Sequence, residues 1–266
     1  MKKLLLLMLV CWSGFASAQQ LYFLQDNNGQ FYTINTTTGA ATLVATISAV
    51  TSNTIGLTES PTPGVLYGTT YTQLISFNVN GTGVTTIGPS SAEALGWCIT
   101  ANVLYGAING NFFSINPTTG AQTPLTGPGA DVEGLACDHP NNVLYGIVRN
   151  TGVLMRYTPG TDTWATVGNT GIAFLDPGLA MDVGAGVLYA VNATNGSIYS
   201  INPTTAAATL VGSMGIGNVG GGLAFTGGSA PVAAPSGIPA SSPASLAAMM
   251  LACVLLGAWA LRRRHG

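Results

Sequence analysis

The chain has 266 residues, of which only 6% are charged, seven basic and nine acidic. Between Gln19 and Ser236 the only basic residues are Arg149 and Arg156, against all nine acids, a formal charge of −7. So cation-poor a surface cannot neutralise phosphates, which excludes nucleic acid as a partner.

The first element is "MKKLLLLMLVCWSGFASA", with Lys2 and Lys3, an apolar stretch and a small-residue site at Ala16-Ser17-Ala18. It reads as a secretory signal peptide over residues 1–18, cut between Ala18 and Gln19. Cys11 follows Val10, where a lipoprotein signal needs a small residue, so lipidation is not expected.

Five repeating units follow. Each is anchored by Leu-Tyr, at Leu21, Leu66, Leu104, Leu144 and Leu188, with steps of 45, 38, 40 and 44 residues. An apolar run, a turn and a short Thr/Val segment come after each anchor, as in "NFFSINPTTGA" followed by "QTPLTG". The last four anchors are preceded by "IGLTES", "EALGWC", "EGLACD" and "PGLAMD". The Val, Ile, Thr, Tyr and Phe content predicts four short strands per unit. Asn28-Gly29, Asn109-Gly110 and Asn195-Gly196 predict hairpins between the second and third strands. Asn116-Pro117-Thr118-Thr119-Gly120 is a second turn. The third strand is apolar on both faces, which implies a sheet covered on each side.

A four-stranded unit of this length, repeated, predicts an all-β fold and a β-propeller over residues 19–228. The first unit lacks its leading strand, and "GGLAFTGG" at 221–228 supplies one at the far end. The expectation is five four-stranded blades, the first closed by both termini; an open β-solenoid or a sandwich is the alternative.

Candidate chemistry within the repeats is sparse. Cys98 and Cys137 lie on inner strands of neighbouring units with opposite parity, which permits a disulfide across one gap and equally permits two buried thiols. With His139 they are too few for a structural zinc site. Glu93 and Glu133 occupy equivalent places where the chain enters the inner strand; Asp131 and Asp176 lie close by in sequence. The ring brings these four toward one mouth of the central channel. Such acids can hold calcium, cleave a glycosidic bond if about 5 to 10 Å apart, or simply cap turns. Asp138 and Asp182 share a place at the other end of the inner strand. The five repeated tyrosines can stack on sugars, but their regular position favours core packing. There is no Ser-His-Asp set, and no cofactor other than calcium is expected.

Residues 229–245 are rich in Pro, Ser and Ala, a linker composition. "LAAMMLACVLLGAWAL" and Arg262-Arg263-Arg264 then predict a transmembrane helix and basic tail over 246–266, with the arginines cytoplasmic and the propeller outside. The tail resembles the PEP-CTERM class of bacterial sorting tails, and is most similar to the IPTL-CTERM variant. The likeness rests on Ile238-Pro239, the helix ending "LLGAWAL" and the arginine cluster; after Ile238-Pro239 the chain reads Ala240-Ser241-Ser242-Pro243, where that variant usually has Thr-Leu. The resemblance implies export by a Gram-negative cell and removal of the tail by a membrane protease of the cell-envelope processing machinery.

The sequence leaves three functions open. The first is a non-enzymatic scaffold or adhesion module of the cell envelope or matrix. The second is a lectin-like propeller binding surface glycans or matrix polysaccharide. The third is a glycoside hydrolase using Glu93 and Glu133.

Overall fold

The computed structural model describes residues 19–51 and 55–227. The expected signal segment, linker, membrane helix and sorting tail, including Ala18, Ile238, Pro239 and Arg262 to Arg264, lie outside the described residues.

Among the described residues, twenty strands form five antiparallel sheets of four. The first blade contains β1 (Gln20–Gln25), β2 (Gln30–Ile34) and β3 (Ala41–Thr46), and the second β4 (Leu57–Glu59), β5 (Val65–Thr69), β6 (Gln73–Asn78) and β7 (Thr85–Pro89). The third has β8 (Ala94–Cys98), β9 (Val103–Ile108), β10 (Asn111–Ile115) and β11 (Gln122–Pro124). The fourth has β12 (Val132–Asp138), β13 (Val143–Val148), β14 (Val153–Thr158) and β15 (Thr163–Asn169). The fifth has β16 (Leu179–Asp182), β17 (Val187–Asn192), β18 (Ser197–Ile201) and β19 (Ala208–Ser213). The last strand, β20 (Gly221–Thr226), returns to pair with β1, Leu21 opposite Phe225, so the first sheet runs β20-β1-β2-β3. The described residues form a five-bladed propeller closed by the pairing of β1 with β20, as the split unit predicts.

The Leu-Tyr anchor has a packing reason. Successive residues of a strand point to opposite faces, so the leucine enters one inter-blade core and the tyrosine the next. Leu104 packs with the second blade's Leu74, while Tyr105 packs with Leu144 and Tyr157 of the fourth. All five anchor leucines are fully buried. Each such burial stabilises the ring by about 1.5–3 kcal/mol. Tyr22, Tyr105, Tyr145 and Tyr189 are buried and Tyr67 is half-buried; Tyr22 stacks on Phe31 and Tyr105 on Phe112. They are core residues.

The hairpins are less uniform than the Asn-Gly pairs predict. Asn109 (φ 49°) and Gly110 (φ 76°) make the expected two-residue turn. Around Asn28 and Asn195 the loop is longer, and the positive φ falls on Asn27 and Gly29, and on Gly196. The second turn is built alike three times. Asn116 Oδ1 accepts the Thr118 and Thr119 amides at 2.9 and 3.2 Å, and Asn35 and Asn202 do the same for their own threonines.

These turns also lock adjacent blades. In the second, fourth and fifth blades the outer strand bulges just before Gly88, Gly168 or Gly212. The bared backbone there receives the next blade's turn: a Cβ on Gly88 or Gly212 would overlap the carbonyl of Thr119 or Thr38, and one on Gly168 would lie 3.1 Å from Ala206 Cβ. The third blade joins the fourth differently. Asp162 accepts hydrogen bonds from Tyr157 (2.8 Å) and the Thr126 hydroxyl (2.8 Å), and Trp164 donates to the Thr126 carbonyl (3.0 Å).

Candidate functional site at the acidic mouth

The residue two places before the inner-strand leucine is Ile55, Glu93, Glu133, Pro177 or Gly221 in the five blades. All five line a single small void, together with Asp26 and Asp176. The inner strands come this close because the next residue is glycine in four blades: a Cβ on Gly134 would lie 2.8 Å from Leu179 Cβ and 2.9 Å from the Pro177 carbonyl oxygen. The void measures about 20 Å³, room for about one water or one ion.

Equivalence between repeats therefore sets Glu93 and Glu133 side by side on neighbouring blades. Both are buried, 9% and 5% exposed. Asp131 joins them, so that one carboxylate oxygen from each of Glu93, Asp131 and Glu133 lies within 4.8 Å of the other two. Arg149, just past the end of β13, donates to Glu133 Oε1 at 2.8 Å and forms an ion pair with Asp176 Oδ1 at 3.2 Å. Its amide is held by the Asp131 carbonyl at 2.9 Å. The four acids expected at the mouth are thus gathered there, with one guanidinium among them.

Donors are scarce in this cluster. Glu93 Oε2, Asp131 Oδ1 and Glu133 Oε2 are buried and accept no hydrogen bond. A buried carboxylate without donors favours its neutral form. Burial pushes Glu133 up to about 8, with Arg149 opposing and Asp176, Glu93 and Asp131 adding to the rise. Glu93 is raised by burial and by Asp131, against Arg149 and the Asn109 amide.

The folded state therefore holds the Glu133 proton more tightly than the unfolded chain. Glu133 favours folding below its unfolded pKa, and that contribution is lost as pH rises toward about 8. Melting curves in chelator should fall between pH 5 and pH 8, as order-of-magnitude bounds on that window. Glu133→Gln should flatten the fall and melt above wild type at its alkaline end. A parallel pH dependence in both proteins would refute this.

Outside the void lies an open bowl of about 650 Å³, lined by Asp26, Asn27, Arg149, Asp176, Thr194 and Asn218 among others. Arg149 forms part of the bowl and also holds the buried Glu133. Between the outer parts of the second and third blades a groove of about 410 Å³ is lined by Ser60, Thr62, Tyr67, Ser76, Thr85 and Thr118.

The opposite end of the inner strands is structural. Cys98 and Cys137 form a disulfide between β8 and β12, with Cα atoms 5.4 Å apart. His139 is buried and accepts the Ile99 amide on Nδ1 at 3.3 Å, so its Nε2 carries the proton and donates to Glu59. Asp138 and Asp182 cap turns, Asp182 Oδ1 accepting the Ala185 amide at 2.9 Å.

Sequence reasoning missed Arg149, Asp26 and Glu59. Arg149 carried a usable signal as one of two cations in an acidic domain. Asp26 sits in a hairpin loop rather than at the repeated position, and nothing in the repeats marks it.

No protein-family model matches the chain, and neither does any curated protein. Among solved structures, it is similar to a chain in the crystal structure of a nidogen/laminin complex. The TM-score is 0.56 at 13% identity, over 78% of this chain and 98% of that one. At this identity the likeness concerns the propeller fold.

Proposed function

We propose that this chain is an exported, non-enzymatic binding or scaffold module of the cell envelope or matrix. The observation that carries the reading is how little room the acids have. Glu93 and Glu133, the pair considered for glycosidic cleavage, face a void with room for about one water. A sugar ring has no space between them, and Arg149 already occupies one oxygen of Glu133. The accessible surface instead includes many threonine, serine and asparagine turns, with Leu43, Tyr71 and Leu210 also exposed.

In this reading the signal segment exports the chain, the segment at 246–266 holds the precursor in the inner membrane, and the tail directs it to processing and to the surface or matrix. A propeller within a laminin/nidogen-type complex is compatible with a partner-binding role. Carbohydrate is the second reading, favoured by the bowl and the hydroxyl-lined groove. Both fall within the ~300–1,000 Å³ typical of ligand sites, and both present hydrogen-bonding side chains that suit a polyhydroxyl ligand.

The test is to mix the purified propeller with envelope and matrix fractions of the producing cell. It should sediment with them and release no soluble fragments. Displacement by soluble matrix polysaccharide would assign a glycan ligand, and failure to sediment with any fraction would refute the binding reading.

A further inference from the structure

We infer that the void at the acidic mouth is a binding site for one calcium-class divalent cation, with Glu93, Asp131 and Glu133 as its protein ligands. This does not depend on what the bowl or groove binds. The first observation is distance. Calcium holds carboxylate oxygens at about 2.3–2.6 Å, so two ligands on opposite sides of it stand about 5 Å apart. The three oxygens here lie within 4.8 Å of one another.

The second observation is independent of the clustering. Glu93 is 9% exposed and the Glu133 side chain 4%. Each lines the void, and each keeps one buried oxygen that accepts no hydrogen bond, as does Asp131. Buried polar atoms are ordinarily satisfied, and each exception calls for an explanation such as an ion. Two of these exceptions belong to residues lining one space of about 20 Å³, a carboxylate oxygen of Asp131 lies within 4.8 Å of theirs, and one ion would explain all three. Arg149 does not supply it, because its bonds go to Glu133 Oε1 and to Asp176.

Charge agrees. Asp26, Glu93, Asp131, Glu133 and Asp176 gather around the single positive charge of Arg149, so the cluster is negative once its carboxyls ionise, and a dication would offset that charge. The donors are hard oxygens, which favour calcium or magnesium over softer metals. Because calcium accepts irregular, carboxylate-rich geometry and magnesium demands a strict octahedron, the assignment is calcium.

The experiment is calorimetric titration of the chelator-treated propeller with CaCl2 and, separately, MgCl2. One equivalent of calcium should bind with a Kd of ~10⁻³ M or tighter, the weak limit of extracellular calcium modules, and should raise the melting temperature. Glu93→Gln and Asp131→Asn should each weaken binding at least about tenfold, since each removes one charged ligand, while Asp182→Asn at the far end leaves it unchanged. A circular-dichroism melt of each variant shows that it is folded, so lost binding reports the site. No calcium binding by the wild type, magnesium binding in its place, or full binding by a folded Glu93→Gln/Asp131→Asn double variant would overturn the proposal.

Discussion

Replacing Gly222 by alanine should cost the fold about 3 kcal/mol or more, at the upper end of overpacking. The single methyl carbon would lie 2.5 Å from the Leu57 amide nitrogen, 2.6 Å from Leu57 Cβ and 2.9 Å from the Gly56 carbonyl carbon. None of these is the free end of a flexible side chain, so relief requires moving β4 away from β20. That junction is where the closing strand meets the second blade, and opening it exposes the core around Ile55, Leu57 and Ala224. Gly222 does not have a positive φ, so the effect is steric and not conformational. Gly160→Ala is the matched control, because nothing lies within 4 Å of its added carbon, and it should stay within about 0.5 kcal/mol of wild type. Urea unfolding of the two variants measures the contrast; equal midpoints would show that the inner ring is looser than described.

The second large effect belongs to the disulfide. Cys98 and Cys137 are 39 residues apart, and closing a loop of that length in the unfolded chain is worth about 4 kcal/mol. A Cys98→Ala/Cys137→Ala variant should therefore melt roughly 10 °C lower for a domain of this size. Reduction of the wild type should do the same. Both sulfurs lie in the core shared by the third and fourth blades, far along the inner strands from Glu93 and Glu133, so the acidic mouth should keep its properties. The bond also ties stability to location, because an oxidising compartment maintains it and the cytoplasm does not. An unchanged midpoint in reductant would refute the stabilising role.

What the sequence revealed follows the periodicity of its contacts. Leu-Tyr recurs because one leucine and one tyrosine per blade serve two different interfaces, so blade number and closure were legible. Glu93 and Glu133 were legible as neighbours because equivalent positions in a ring surround its axis. The glycine latches were not, although Gly88, Gly168 and Gly212 recur. Their function is to let another blade's backbone approach, and a contact between distant backbones leaves no pattern in side-chain type. Arg149 and Asp26 depart from the repeat, and their meeting with the acids depends on loop paths that hydrophobic period does not encode. Departure from the repeat is nevertheless the useful lesson: the acid cluster arises where the third and fourth blades put glutamate in place of isoleucine, proline or glycine.

The central proposal is that Glu93 and Glu133 face too small a space to cut a glycan and that the chain binds without cutting. It is tested most directly by incubating the propeller with envelope and matrix polysaccharide and assaying newly released reducing ends, with wild type beside Glu93→Gln and Glu133→Gln. The propeller should be retained on the polymer or envelope, with no released ends from any of the three. Release by the wild type that is abolished in either variant would contradict it.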